Sequence, residues 1–189
     1  MKLLHIDSSI QGENSASRAL SAAVVERLRS TSEDIDIAYR DLVTDPLPHL
    51  TIDAVATLAE NPVLEQFLES DIVVIGAALY NLTIPTQLKA WLDRIIVAGR
   101  TFSYSEAGPQ GLAGDKRVIV ALARGNVYSE GTPSSSLEHA ETLLRSLFTF
   151  IGVRNLEFVI AEGLAFGEEP RRAALAAALE QAAQIAPSR

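Results

Sequence analysis

Three serines cluster where the first apolar segment of the chain gives way to a helical pattern. Ser9, Ser15 and Ser17 lie in the stretch DSSIQGENSASRAL, residues 7–20. Hydroxyl groups and the free N–H groups at a helix start bind phosphate well, and the helix dipole adds to the attraction. The stretch has no lysine and a single glycine, Gly12, so it matches neither the nucleotide loop nor the dinucleotide loop. We therefore expect an anion site built from hydroxyls and backbone amides.

A purely structural role is the alternative for each of these serines. Ser15 or Asn14 would serve as an N-cap for the following helix without binding any ligand. Arg18 either adds positive charge to the site or lies on the solvated face of that helix. One capping serine is ordinary, and three around one strand–helix turn favour the anion site.

A second candidate segment is AALYNLTIP, residues 77–85, which follows the apolar run DIVVIGA. Tyr80 and Asn81 come directly after the small residues that end that run. Asn81 offers a donor and an acceptor, which suit the edge of a planar heterocycle. The alternative is a tight turn, because asparagine tolerates left-handed backbone conformations.

A third candidate segment is ARGNVYSEGTP, residues 123–133. Gly125 allows a ligand to approach the backbone closely, and Asn126 or its backbone would contact a ring edge. Arg124 would bind a ligand or make a structural ion pair. Tyr128 is the best candidate for shaping a substrate pocket.

The apolar patterns predict an α/β fold that places these segments together. Strands are expected at 2–7, 36–40, 71–77, 117–122 and 156–161, and helices at 16–29, 52–59, 62–69, 87–97, 134–150 and 170–185. Alternation of this kind predicts a doubly wound, five-stranded parallel sheet in three layers, within a single domain over 1–189. Residues 101–115 are expected to form a long loop. Since ligands of such sheets bind at the carboxyl ends of the strands, the three segments should meet at one edge.

Composition excludes several classes of function. The net charge of -8 argues against nucleic acid or an anionic membrane as partner. The absence of cysteine excludes disulfides, thiol nucleophiles and thiolate metal sites. His5, His49 and His139 are not spaced as metal ligands, so no metal site is expected. The chain shows neither a signal-peptide pattern nor a long apolar span, and we expect a cytoplasmic protein.

Together the segments resemble a known family, the FMN-dependent NADH-azoreductases, which are flavodoxin-like quinone reductases of bacteria. The matching motifs are Ser9 with Ser15-Ala16-Ser17, Leu79-Tyr80-Asn81-Leu82, Gln87-Leu88-Lys89, AGRTFSY at 98–104, Gly108-Pro109, Gly111-Leu112, Ala123-Arg124-Gly125-Asn126, Phe150-Ile151-Gly152 and Ala161-Glu162-Gly163. The resemblance covers nearly the whole chain. It implies a flavodoxin-like fold and a homodimer with its active sites at the subunit interface.

The resemblance also implies a cofactor, substrates and site residues. FMN would be held with its phosphate in the first segment and its ring against the other two. The cofactor-binding residues it implies are Ser9, Ser15, Ala16, Ser17, Leu79, Tyr80, Asn81, Leu82, Ala123, Arg124, Gly125 and Asn126. NADH or NADPH would deliver two electrons, and a quinone or an aromatic azo compound would then take them, in ping-pong order. Asn81, Leu82 and Tyr128 would line the substrate pocket, and no residue is assigned as a catalytic acid or base.

This chain departs from the family pattern at several positions, including the turn at Ala78 and Leu79, where proline or methionine is common. An aromatic residue usually stands where Leu82 is, and the third segment usually reads S-R-G-G, so Ala123 and Asn126 are replacements. The departures fall where the electron acceptor would lie. The alternative function is that of a non-enzymatic, flavodoxin-type electron carrier.

Overall fold

Strands and helices alternate along the chain in the computed structural model, which describes residues 1–32 and 34–187. The strands are β1 (Lys2–Asp7), β2 (Asp36–Asp41), β3 (Ile72–Ala78), β4 (Phe102–Ser105), β5 (Gly108–Gly111), β6 (Arg117–Ala123) and β7 (Asn155–Ala161). The helices are α1 (Ala16–Ser30), α2 (Ile52–Ala56), α3 (Pro62–Glu69), α4 (Thr86–Ile95), α5 (Ala140–Phe150) and α6 (Glu168–Ala183).

The main sheet has five parallel strands in the order β2-β1-β3-β6-β7. Counted along the parallel strands alone, this is the flavodoxin-like order 2-1-3-4-5. The central strand β3 is buried at every residue, as its β-branched sequence predicts. In register, Ile75 lies between Ile6 of β1 and Val120 of β6. The predicted doubly wound parallel sheet is confirmed.

Helices cover both faces of this sheet, which gives the three predicted layers. On one face, α1 and α6 pack Leu20, Val24 and Ala178 against the strands. On the other face, α3 and α4 contribute Phe67 and Trp91, both fully buried, to the core cluster that α5 completes. The core therefore fixes the strand ends whose loops carry the candidate site.

Two sequence predictions differ from the structure by more than three residues at an element end. The predicted helix over 134–150 begins only at Ala140, because the Glu138 carboxylate accepts the N–H groups of Ala140 and Glu141 at 3.0 and 2.8 Å and so caps the helix there. The predicted loop over 101–115 contains the antiparallel hairpin β4–β5. Within the described ranges, no helix combines the length and apolar character needed to cross a bilayer.

Candidate active site

The loops after β1, β3, β6 and β7 are hydrogen-bonded to one another along the carboxyl edge of the sheet. The hydroxyls of Ser9 and Tyr80 lie 2.9 Å apart and connect the first two loops. The Leu79 N–H donates to the Ala123 carbonyl at 2.8 Å. The Arg124 N–H donates to the Ala161 carbonyl at 2.8 Å and connects the third loop to the end of β7. The three segments predicted to meet are thus brought together.

The first loop presents hydroxyls and open amides at the start of α1. Ser9, Ser15 and Ser17 are all buried, and the hydroxyls of Ser15 and Ser17 lie 3.1 Å apart. Ser15 is also the N-cap of α1, where its hydroxyl accepts the Arg18 N–H at 3.3 Å. Within residues 1–32 and 34–187, the N–H groups of Ala16 and Ser17 have no acceptor. The turn therefore has the donors that an anion needs, as well as a cap.

Arg18 is engaged in holding the first loop. Its guanidinium makes a bidentate pair with the Asp41 carboxylate at 2.7 and 2.9 Å and donates to the Ser9 carbonyl at 2.9 Å. The hydrogen bond to Asp41 raises the pKa of Arg18. Burial alone would raise the pKa of Asp41, but Arg18 and the Val43 N–H outweigh it and the pKa lies below its ordinary value. The charge of Arg18 is thus compensated within the protein.

A buried polar network lies beneath that loop, around Asp7 at the end of β1. Its carboxylate accepts from the Ser21 hydroxyl at 2.8 Å and the Tyr39 hydroxyl at 3.2 Å. His5 is buried, and its Nε2 lies 3.0 Å from the same Ser21 hydroxyl. A side chain at Gly76 would collide with the Asp7 carboxylate, so glycine there makes room for the network.

The second loop is a tight turn that also faces a cavity. Tyr80 and Thr83 exchange two backbone hydrogen bonds, at 2.9 and 3.1 Å. Asn81 and Leu82 adopt positive φ angles of 47° and 73°. Leucine rarely adopts such a conformation, and backbone strain of this kind concentrates at ligand sites. Asn81 lines a cavity of about 550 Å³ together with Ile10 and Pro85.

Arg124 in the third loop is an internal ion-pair centre. Only 2% of its surface is exposed, and its guanidinium lies 3.3, 2.5 and 3.4 Å from the carboxylates of Glu138, Glu141 and Glu162. The structural ion pair is therefore present. Glu162 also accepts the Tyr128 N–H at 2.9 Å. Burial alone would raise the pKa of Glu162, but the hydrogen bonds of Tyr128 and Ser129 and the charge of Arg124 together hold it below its ordinary value.

The loop after β7 orients the backbone of the third loop. The carbonyls of Arg124, Gly125 and Asn126 accept the N–H groups of residues 164, 165 and 163 at 3.2, 2.8 and 3.1 Å. The N–H groups of Gly125 and Asn126 have no acceptor among the residues described. The Asn126 side chain bonds within its own segment, to the Ser134 hydroxyl and the Val127 N–H. The backbone donors of this loop are thus available to a ligand, while the Asn126 amide is in use.

A cavity of about 250 Å³, here called the central cavity, lies where these loops converge. Its lining includes seven of the residues implied by the resemblance: Ser15, Ala16, Leu79, Tyr80, Ala123, Arg124 and Gly125. Ser9 and Ser17 are buried beside it, Asn81 lines the neighbouring cavity, and Leu82 and Tyr128 are part-exposed on the adjoining loops. Sequence reasoning missed Leu164, Ala165 and Arg171 in the lining. The signal was present, because the carboxyl-end rule applies equally to the segment after β7.

The turn that carries Ser9, Ser15 and Ser17 is here called the serine turn. The central cavity continues past it into a second space of about 710 Å³. Gln11, Ser15, Ala16 and Arg171 line both. Another space of about 680 Å³ lies at the opposite, amino edge of the sheet, near Asp71 and Asn155. Since ligands of doubly wound sheets bind at the carboxyl edge, the central cavity and its extensions are the candidate site.

Comparison with known proteins agrees with this geometry. The family described as having a flavodoxin-like fold matches residues 1–186. FMN-dependent NADH:quinone oxidoreductase from Methylorubrum populi is 50% identical over 98% of both chains, and FMN-dependent NADH:quinone oxidoreductase 2 from Bradyrhizobium diazoefficiens is 49% identical over the same shares. The azoreductase of Bacillus anthracis strain Sterne superposes with a TM-score of 0.89 at 32% identity, covering 98% of each chain. An FMN-dependent NADH-azoreductase of Bacillus anthracis strain Ames Ancestor, solved with FMN, gives a TM-score of 0.83 at 25% identity over 98% of this chain and 99% of its own. The chain therefore belongs to the flavodoxin-like family that contains the FMN-dependent NADH:quinone oxidoreductases and NADH-azoreductases.

Proposed function

We propose that this chain is an FMN-dependent enzyme that uses NADH to reduce quinones and aromatic azo compounds. The observation that carries the proposal is the convergence of the three loops on the central cavity, in a chain that shares half its sequence with FMN-dependent NADH:quinone oxidoreductases. FMN, when bound, supplies the chemistry of two-electron hydride transfer. The relatives are named as enzymes, which favours this reading over a non-enzymatic electron carrier.

The serine turn fits the phosphate of FMN. Ser9, Ser15 and Ser17 would donate hydroxyl hydrogen bonds, and the open N–H groups of Ala16 and Ser17 would add backbone donors at the positive end of α1. Arg18 donates to the Ser9 carbonyl at 2.9 Å and so holds the backbone of this loop in place.

The second and third loops fit the ring of FMN. The open N–H groups of Gly125 and Asn126 are the donors available to its oxygen and nitrogen atoms. Leu79, Tyr80 and Ala123 supply apolar contact along the central cavity. Fixed backbone dipoles of this kind stabilise charge without reorganising during the reaction.

The acceptor and the nicotinamide would use the side of the site near Asn81, Leu82 and Tyr128. NADH is the donor named for the relatives, so we take it as the donor here. Arg100, a cation that could in principle meet the 2′-phosphate of NADPH, is paired with Glu65 at 2.5 Å. No side chain in this region is assigned as an acid, because a quinone oxygen can take its proton from water.

The proposal includes a homodimer. Ile10 is 61% exposed and lines the cavity on the Asn81 side, so a second copy seated there would cover an apolar side chain and close the site. Sedimentation equilibrium should give a mass twice the 20.3 kDa of one chain. A purely monomeric protein that turns over quinones at full rate would remove the dimer from the proposal and leave the rest intact.

The enzymatic function is tested on the purified protein after incubation with FMN. We expect one bound flavin per chain, bleaching of its absorbance by NADH, and recovery on addition of a benzoquinone. Steady-state rates at varied NADH and quinone should give parallel double-reciprocal lines, as ping-pong kinetics require. A protein that binds no flavin, or binds it without oxidising NADH, would refute the proposal.

A further inference from the structure

Arg171 lies near the C-terminal end of the sequence but contacts the serine turn. It lies in the first turns of α6, and its Nη2 donates to the Asn14 carbonyl at 3.0 Å, across 157 residues of sequence. The same side chain lines both the central cavity and the space beyond the turn. Arg171 therefore stands beside Ser15 and Ala16, where the anion donors are.

Arg171 differs from the other arginines at this edge because no carboxylate compensates its charge. Arg18 is paired with Asp41, and Arg124 is surrounded by three glutamates. Arg172, next in the chain, pairs with Glu169 at 2.6 Å. Within residues 1–32 and 34–187, no carboxylate oxygen lies within 4.0 Å of the Arg171 guanidinium.

The other N–H donors of Arg171 have no acceptor among the residues that the structure describes. The guanidinium carries five N–H donors, and the bond to Asn14 uses one of them. The acidic residue that shares this lining is Glu13, which is exposed. A phosphate bound at the turn would therefore meet a cation that is free to donate to it.

We propose that Arg171 is the cationic partner of the cofactor phosphate and adds a charged donor to the neutral hydroxyl and N–H donors of the serine turn. The inference rests on the proposed function, because it takes FMN as the ligand. The net charge of -8 repels a phosphate dianion, and the neutral donors of the turn supply no opposite charge. One charge-assisted pair from α6 offsets that repulsion and closes the turn from the opposite side.

The test compares the affinity of the flavin-free protein for FMN and for riboflavin, which lacks the phosphate. Arg171→Gln should weaken FMN binding roughly 10- to 100-fold, the loss expected for one hydrogen bond to a charged group. Riboflavin affinity should stay within about twofold, as for a group that meets only phosphate. Arg172→Gln is the matched control and should change neither affinity. Arg171→Lys keeps the charge and should recover part of the loss.

Other outcomes overturn the inference in distinguishable ways. Equal FMN affinity in the Arg171→Gln and Arg172→Gln variants would leave Arg171 as a brace between α6 and the turn. Equal losses for FMN and riboflavin, or no recovery by lysine, would mean that the side chain acts on the shape of the turn and not on the phosphate. Wild-type protein that binds neither flavin would refute the proposed function itself, and the inference with it.

Discussion

At the scale of single residues, Ser15 carries two roles at once. Its hydroxyl caps α1 through the Arg18 N–H at 3.3 Å and lies 3.1 Å from the Ser17 hydroxyl. The long capping distance indicates a weak hydrogen bond. Ser15 can therefore be both an N-cap and an anion donor. The cap contributes to the free energy of unfolding, and the anion donor would contribute to FMN affinity.

The first prediction separates these roles in the double variant Ser15→Ala/Ser17→Ala. We expect FMN affinity to fall about 100-fold, because hydroxyl donors to a phosphate are lost, and the free energy of unfolding to fall by only about 1 kcal/mol. Fluorescence titration with FMN and urea denaturation of the flavin-free protein measure the two effects. Thr51→Ala removes the corresponding cap of α2, at 3.2 Å from the Ala54 N–H, and should lower stability without changing FMN affinity. Intact FMN affinity in the double variant would leave the serines as caps only.

The side-chain roles in the third loop were beyond reach from sequence. Arg124 was expected to bind a ligand or to make a structural ion pair, and Asn126 to contact a ring edge directly or through its backbone. The structure shows the ion pair, because glutamates from α5 and the loop after β7 converge on Arg124. Which of two chemically sensible partners an arginine meets depends on contacts far apart in sequence. No local pattern encodes those contacts.

At the scale of elements, the loop after β7 acts as a brace for the third loop. The Glu162 carboxylate accepts hydrogen bonds from the Tyr128 N–H and the Arg124 guanidinium of the third loop. Three backbone hydrogen bonds also join the two loops. The Glu162 side chain is 21% exposed, so water screens part of the interaction. The brace uses the backbone carbonyls of the third loop, while the N–H groups of Gly125 and Asn126 have no acceptor among the residues described.

The second prediction follows from the lowered pKa of Glu162. A carboxyl whose pKa is lower in the folded state stabilises the fold above its ordinary pKa, here 4.5, and that contribution is lost as pH falls through the folded value. At pH 7, Glu162→Gln should lower the free energy of unfolding by about 1 kcal/mol. The difference from wild type should shrink as the pH drops below that ordinary pKa. Urea denaturation across this range measures it, with exposed Glu169→Gln as the control. A difference independent of pH would show that the charge of Glu162 contributes nothing.

The third prediction concerns the hairpin β4–β5, which docks on the end of α5. A Cβ at Gly111 would collide with backbone atoms of Ile151 and Gly152, and the Ala113 N–H donates to the Ile151 carbonyl at 2.8 Å. Gly111→Ala should therefore destabilise the fold by about 3 kcal/mol, since backbone atoms yield less readily than side chains. Leu112→Ala, at an exposed neighbour, should cost far less. Thermal unfolding measures the stability of both variants. If Gly111→Ala were no less stable than Leu112→Ala, the hairpin would be able to move away from α5 and relieve the collision.

Element positions were predictable where one periodicity dominates. The first strand was predicted with its observed bounds, because buried parallel strands are apolar on both faces. The hairpin was missed because its pairing depends on the close approach of Gly111 to Gly152. The start of α5 was missed because the Glu138 carboxylate, six residues before Leu144 of the core, ends the preceding turn. A tertiary contact decided the hairpin, and a local side-chain cap decided the start of α5.

At the scale of the whole molecule, fold, family and function agree with the expectations from sequence. The strand order is the flavodoxin-like one, and relatives at about half identity are named FMN-dependent NADH:quinone oxidoreductases. Arg171, which we propose as the partner of the cofactor phosphate, is a residue that no local sequence pattern places at the first loop. Arg171 comes from the last helix, and only the closed fold brings it to the first loop.

The fourth prediction rests on the net charge of -8. NADH is an anion and benzoquinone is neutral, so long-range repulsion slows the encounter with NADH alone. Raising the ionic strength from about 0.01 to about 0.15 M shortens the screening length from roughly 30 to roughly 8 Å. We therefore expect kcat/KM for NADH to rise several-fold while kcat/KM for benzoquinone stays constant. Ping-pong kinetics make the two constants separately measurable. If kcat/KM for NADH instead fell with salt, a local positive field around the site would outweigh the overall charge and would steer the donor in.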